Sequence, residues 1–162
     1  MNEEIETTLR ENPEVAEQVI ASLRQFIDRD RYLLEVNANE RSLTHRIGMY
    51  LQAQFQRYDV DCEFNRDGHD PKELYIGTED TTVFDDNAMT VYPDIIVHRR
   101  GSNNDNLLVI EFKKSSSSVG SGKDMLKLRA YKTDLHYRYA LFVELGTTRM
   151  RAEPEVTQAR WV

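Results

Sequence analysis

The sequence predicts an α/β fold, a mixed central sheet flanked by helices with an extra helix at the N-terminal end. Three observations carry that expectation. Apolar residues recur at helical spacing in two stretches of the first third of the chain. Two short apolar runs joined by a turn-rich segment follow between residues 91 and 114. A helical pattern studded with lysines then leads into one more apolar run, "RYALFVEL".

In chain order, "PEVAEQVIASLRQFID" at 13–28 sets Val15, Val19, Leu23, Phe26 and Ile27 on one helical stripe, and Pro13 suits a first turn. "RYLLEV" extends that face or starts a connector. A second helix runs from about Glu40 to Arg57, with Leu43, Ile47, Tyr50, Leu51 and Phe55 as its stripe and Asn39 or Ser42 as its cap. In "DVDCEFNR" the residues Val60, Cys62 and Phe64 alternate with polar ones, the period of a half-buried strand. Residues 67–90 are polar and read as a long loop with one short element, of a length that is usually functional or mobile.

Strands at 91–99 and 106–114 flank "RGSNNDN", a strong turn signal, and so predict an antiparallel hairpin. "SSSSVGSG" reads as a flexible link by composition. The helix from about Lys123 to Leu135 has Leu128, Tyr131 and Leu135 on one side and Lys123, Lys127 and Lys132 among its polar positions. A strand, a helix and a further strand imply parallel pairing within one sheet. The tail "EVTQARWV" adds an edge strand. Residues 1–162 read as a single domain: a helical extension over 1–38, a core over about 40–145, and a C-terminal extension over 146–162.

Composition excludes several classes. No apolar run is long enough to span a bilayer, and "MNEEIETTLR" is acidic and polar, unlike a secretory signal. Cys62 is the lone cysteine, and no Cys/His cluster has zinc-ligand spacing. A cytoplasmic protein with no membrane partner is the expectation. The net charge is -7, which argues against a polyanionic partner, but it is unevenly spread. Residues 1–80 hold 18 acids against 9 bases, whereas residues 95–138 hold 4 acids against 9 bases. That asymmetry is compatible with a local phosphate-facing surface, and equally with ordinary solvated faces.

Two acids stand where acids are costly. Asp94 lies between Pro93 and "IIV", and Glu111 between Ile110 and Phe112. A buried carboxylate must be paired, protonated or bound to a metal. Residues two apart on a strand share a face, so Glu111 and Lys113 point one way, Phe112 and Lys114 the other. Antiparallel pairing about the 100–106 turn brings the start of one strand beside the end of the next, so the two carboxylates meet at one end of the hairpin. Two carboxylates are the ligand set a hard divalent cation such as Mg2+ (or Mn2+) prefers, completed by waters and phosphate oxygens. Such an ion activates water for attack on a phosphodiester. An ammonium group two residues beyond the second acid can hold that water or offset the negative transition state.

Pro93-Asp94 followed, after sixteen intervening residues, by Glu111-Phe112-Lys113 resembles the signature of the PD-(D/E)xK nuclease superfamily. With "NERSLTHRIGMYLQ", "VYPDIIVHR" and "LLVIEFKKS", the chain is similar to small stand-alone prokaryotic members of undefined role. The resemblance implies a restriction-endonuclease-like core in the order αβββαβ over roughly 40–145. It implies Asp94 and Glu111 as metal ligands and Lys113 as the catalytic lysine. Many members add an acid on the first core helix, and Glu40 matches that position, three and seven residues before Leu43 and Ile47 on the expected buried face. An acid in a first helical turn is also ordinary dipole compensation.

The remaining candidates divide between phosphate contact and plain solvation. Arg99 and Arg100 lie at the far end of the hairpin from Asp94; Lys114, Lys123 and Lys127 could track a nucleic-acid backbone. His45, His69, His98 and His136 are scattered, and structural or surface roles account for them. "SSSSVGSG" lacks the lysine and spacing of a phosphate-binding P-loop and reads better as a mobile flap beside the site. The expectation is thus a metal-dependent nuclease that hydrolyses phosphodiester bonds of DNA by a metal-activated water. The alternative is an inactive nucleic-acid- or protein-binding module on the same fold, in a defence or repair assembly. A homodimer or partner protein would supply positive surface in either case.

Overall fold

The computed structural model describes residues 1–67, 70–71, 73–74, 89–90, 92–102, 104–148 and 153–162, with backbone alone for 66–67, 70–71, 73–74 and 89–90. Most of the loop expected at 67–90, His69 included, lies outside the described residues.

Three helices come first: α1 (Glu3–Leu9), α2 (Pro13–Glu35) and α3 (Glu40–Gln54). Helix α1 has no apolar period long enough to announce it. It is fixed by its surroundings: Asn2 accepts the Ile5 N–H at 2.9 Å, Ile5 and Leu9 are buried, and the Trp161 indole donates to the Thr8 carbonyl at 2.9 Å. "RYLLEV" continues α2 rather than starting a connector, across a break in helical geometry at Asp30. The Asp30 carboxylate accepts from Arg46 Nε at 3.0 Å and from the Tyr50 hydroxyl, which ties that break to α3. Asn39, not Ser42, caps α3, accepting the Ser42 N–H at 2.8 Å.

Strand β1 (Asp59–Cys62) is shorter than the alternation suggests. Glu63 turns to φ +50°, ending the strand, and Phe64 packs instead on the His98 ring at 5.1 Å between centroids. Cys62 is exposed rather than half-buried. Short strands β2 (Arg66–Asp67), β3 (Asp70–Pro71), β4 (Glu73–Leu74) and β5 (Met89–Thr90) pair β2 with β3 and β4 with β5.

The hairpin is β6 (Ile95–His98) and β7 (Leu108–Lys114), antiparallel with Ile95 opposite Ile110, Ile96 opposite Val109 and Val97 opposite Leu108. Helix α4 (Gly122–Asp134) then leads to β8 (Tyr139–Leu145), parallel to β7, and β9 (Val156–Trp161) closes the far edge antiparallel to β8. The main sheet has five strands in the order β1-β6-β7-β8-β9, a mixed sheet as expected. The start of "SSSSVGSG" is anchored, with Ser115 N–H donating to the Leu145 carbonyl at 2.9 Å and Ser116 Oγ to Asn37 Oδ1 at 3.0 Å, while residues 117–120 are exposed.

The two faces of the sheet carry separate cores. Ile95, Val97, Leu108, Ile110, Phe112, Leu141 and Val143 face α1, α2 and α3. Ile96, Val109, Ala140 and Phe142 pack with Leu128 and Tyr131 of α4, with Leu135 just past its end and with Tyr137. This period-two division follows from the strand pleat and explains why β6 and β7 are apolar on both faces. Among the described residues no helix is long and apolar enough to cross a membrane.

Candidate functional site

β7 is buried from Leu108 to Phe112 and only partly buried at Lys113 and Lys114, so its C-terminal end emerges at the sheet rim. Glu111 and Lys113 have the parity of Val109, on the α4 face, and Phe112 and Lys114 take the other. β6 stops pairing by backbone at Ile95, and Asp94 finishes the job with its side chain. Its Oδ2 accepts the Phe112 N–H at 2.7 Å. That bond fixes Asp94 beside Glu111, and the parity of Ile96 puts it on the same face.

Helix α4 meets this strand end with Asp124, Lys127 and Tyr131, spaced three and seven residues apart and hence on one side of the helix. Lys113 Nζ donates to Asp124 Oδ2 at 2.7 Å, and Lys127 Nζ to Glu111 Oε2 at 3.2 Å. Among the described residues neither Glu111 Oε1 nor the Tyr131 hydroxyl, both buried, has a partner at full hydrogen-bonding distance, although Glu111 lies close enough to act on the phenol. From the opposite face, Glu40 in the first turn of α3 accepts the Lys114 N–H on Oε1 at 3.2 Å, and Lys114 Nζ donates to the Ala38 carbonyl at 2.9 Å. Glu40 is exposed, not on the buried face its spacing suggested. It faces the rim because the helix begins there. A polar cleft of about 430 Å3 beside it is lined by Asn37, Asn39, Lys114 and Ser116–Ser118.

The electrostatics are those of acids crowded together in a poorly solvated place. Burial pushes Asp94 up to about 6, and Glu40 and Asp124 add to the rise, against the Phe112 N–H and Lys127. Burial pushes Glu111 up to about 8, with the Asp94 carboxylate next in effect. The Tyr131 phenol is driven well above its usual range by burial and by the nearness of Glu111 and Asp94. Lys127 is raised despite burial, by Glu111, Asp124 and Asp94.

The residues expected at the site divide in three. Asp94, Glu111 and Lys113 come together on the α4 face. Glu40 approaches from the other side of the rim, where it accepts the Lys114 N–H, and its charge reaches Asp94 through space. Lys127 belongs to the carboxylate pair itself rather than to an outer backbone-binding stripe. Arg100 is committed to the Asp61 carboxylate and its N–H to Asp59, and the Arg99 guanidinium lies 5.8 Å from the Tyr58 ring centroid. Lys123 is exposed. His98 is buried against Asp61 at 2.9 Å, whereas His45 lines an apolar pocket with Met49 and Cys62 that contains neither Asp94 nor Glu111. Sequence reasoning missed Asp124 and Tyr131. Their spacing with Lys127 was the available signal.

Among the described residues no three His, Cys, Asp or Glu side chains group closely enough to enclose a metal ion by themselves. The donor set nonetheless suits a hard cation that keeps waters and takes only one or two carboxylates. Glu111 has one oxygen without a partner at full hydrogen-bonding distance among the described residues, and Asp94 offers its other oxygen. Asp94, Glu111, Asp124 and Glu40 crowd the rim against the ammonium groups of Lys113, Lys114 and Lys127, and the raised values of Asp94 and Glu111 reflect that crowding together with burial. Comparison of the chain with known protein families, with curated proteins and with solved structures finds no match.

Proposed function

We propose that the protein is a metal-dependent nuclease of the PD-(D/E)xK type, hydrolysing phosphodiester bonds of DNA on a restriction-endonuclease-like core. One observation carries the reading: at the rim of the sheet a fully buried Glu111, one of whose oxygens has no partner at full hydrogen-bonding distance among the described residues, stands beside the partly buried Asp94 carboxylate. A purely structural acid would have its acceptors filled, since an unsatisfied buried acceptor costs about 1–3 kcal/mol. In this reading Asp94 and Glu111 hold a Mg2+ or Mn2+ ion, and Glu40 lends negative charge or a water-mediated contact from the rim.

A divalent ion in that seat would lower the pKa of a water and offset charge developing on the diester. The protein's own part is orientation. Phe112 N–H fixes one oxygen of Asp94 and so aims the other. Asp124 holds the Lys113 ammonium at the strand end, poised to bind the attacking water or the diester's charged oxygens. The apolar packing of Ile96, Val109 and Tyr131 keeps the carboxylates poorly solvated, which strengthens their hold on a cation.

A plasmid-cleavage assay with Mg2+ or Mn2+ tests the proposal, comparing wild type with Asp94→Ala and Lys113→Ala. Cleavage by wild type alone is the expected result; cleavage that survives both substitutions removes the mechanism.

A second reading has its own support. Both lysines already neutralise an acid, and the net charge is -7, poorly suited to gripping a polyanion unaided. A non-catalytic module, relying on a second copy or a partner protein for positive surface, would show DNA binding only in that company and no cleavage with either metal.

A further inference from the structure

Glu111 and Lys113 leave β7 on one face, and α4 answers them with charges in crossed order. Asp124 takes Lys113, and Lys127 takes Glu111. The two pairs are unequal. Lys113 and Asp124 are both enclosed, 12% and 15% exposed, and meet at 2.7 Å. Lys127 is 31% exposed and reaches a Glu111 that is 3% exposed, at 3.2 Å.

That second contact is long for a charge-assisted hydrogen bond, which normally falls at about 2.7–2.9 Å. It satisfies one oxygen of Glu111 and leaves the other without a partner at full hydrogen-bonding distance among the described residues. Lysine carries a compact charge on a flexible stem, so an ammonium with one side open to solvent can leave its partner at little cost in packing. Lys113 lacks that freedom. An ammonium group and a divalent cation also compete for the same seat, because each is held there by the Glu111–Asp94 charge and each repels the other.

We infer that Lys127 is a displaceable internal counter-ion. Its ammonium occupies the carboxylate pair when no divalent cation is bound, and yields to the ion. It then turns to the open side of the site, where a charged diester oxygen would lie. The inference rests on the metal-dependent reading above. It assigns Lys127 a role in exchange with the cation that a fixed structural ion pair would not have.

The test is a calorimetric titration of the full chain with Mn2+, which needs no substrate. Wild type, Lys127→Met, Lys127→Arg and Glu111→Gln are compared. Lys127→Met should bind Mn2+ about tenfold more tightly than wild type, from loss of the competing charge. Lys127→Arg should show no gain, and Glu111→Gln should lose binding. Should Lys127→Met fail to fold in chelator, recovery of its circular dichroism on adding Mn2+ supports the exchange equally. Binding by Lys127→Met where wild type shows none supports it also. Equal or weaker binding by Lys127→Met, a like gain in Lys127→Arg, or a Lys127→Met that stays unfolded with Mn2+ overturns it while leaving wild-type binding intact. Absence of Mn2+ binding in both wild type and Lys127→Met overturns the metal reading itself, and the exchange with it.

Discussion

The Asp94 carboxylate accepts the Phe112 N–H at 2.7 Å, in the place a backbone carbonyl would hold had β6 continued one step further. The chain is turning away there, with the Glu63 N–H donating to the Pro93 and Asp94 carbonyls at 3.0 and 3.3 Å. A side chain that finishes a sheet ladder is fixed in position by the sheet. Asp94 is therefore held beside Glu111 by the same bond that satisfies β7, so its structural role and the chemical role proposed for it fall on a single oxygen pair.

Those roles separate by substitution. Asp94→Ala leaves the Phe112 N–H without an acceptor in a half-buried place and should lower stability by about 1–2 kcal/mol at pH 7. Asp94→Asn keeps an acceptor and removes the repulsion on Glu111, so its stability should match wild type or exceed it. Urea denaturation with a chelator present reads the difference. Both variants should lose any Mn2+-dependent stabilisation. An Asp94→Asn as unstable as Asp94→Ala would mean that charge, not the acceptor, holds the strand end.

Stability should fall as pH rises, contrary to the usual behaviour of carboxylates. The folded-state values of Asp94 and Glu111 are raised to about 6 and about 8, above those of an unfolded chain. An acid raised in this way contributes its stability in full below the unfolded value of about 4, and that contribution is lost as pH climbs through the folded value. Asp61 runs the other way: His98 and Arg100 hold it well below the usual range, against burial, so its contribution is lost as pH falls below about 4. In chelator the melting temperature should peak between about pH 4 and 6 and decline towards 8. Mn2+ should flatten the decline, and Glu111→Gln should abolish most of it. A melting temperature that rises steadily from pH 5 to 8 in chelator would contradict the burial of these acids.

Helix α3 can approach β1 closely because residue 48 has no side chain. A Cβ there would sit 2.8 Å from Cys62 Sγ. Gly48→Ala should therefore cost about 1–3 kcal/mol as an overpacking change, against the gain an alanine normally gives inside a helix. Cys62→Ala removes the obstructing sulfur, and the double variant should recover most of the loss. A double-mutant cycle in urea measures this coupling, and additive effects would show that the helix shifts instead.

The parts of this architecture that were legible in the sequence are those where one residue had a single affordable environment. Glu111 inside an apolar strand marked a candidate site because burying a carboxylate is costly, and "RGSNNDN" announced the hairpin that brings Asp94 to it. Asp124 went unread despite its spacing with Lys127, because an acid in a first helical turn is ordinary, whatever it contacts. Lys127 read as a solvated position for a like reason: a lysine stem can run along a helix and deliver its charge inward, and spacing alone does not say which way. Arg100 was ambiguous until Asp61 appeared opposite Ile96, a register that only the folded sheet supplies. Helix α1 is seven residues long, too short to hold itself together, so its stability comes from partners distant in sequence.

The Lys113–Asp124 pair lets the proposed catalytic lysine be tested apart from its structural duty. Both side chains are largely enclosed, so Lys113→Met strands the Asp124 carboxylate and should destabilise by roughly 2–4 kcal/mol. A loss of cleavage in that variant alone would be ambiguous, since a loosened strand end would also misplace Glu111. Lys113→Met/Asp124→Asn removes both charges, and most of the stability should return, because replacing a buried pair outright is far cheaper than breaking it. Cleavage should not return with it. If the double variant regains both stability and Mg2+-dependent cleavage, the ammonium of Lys113 serves the fold and another group serves the chemistry; if it regains stability alone, the ammonium is required at the strand end for the reaction.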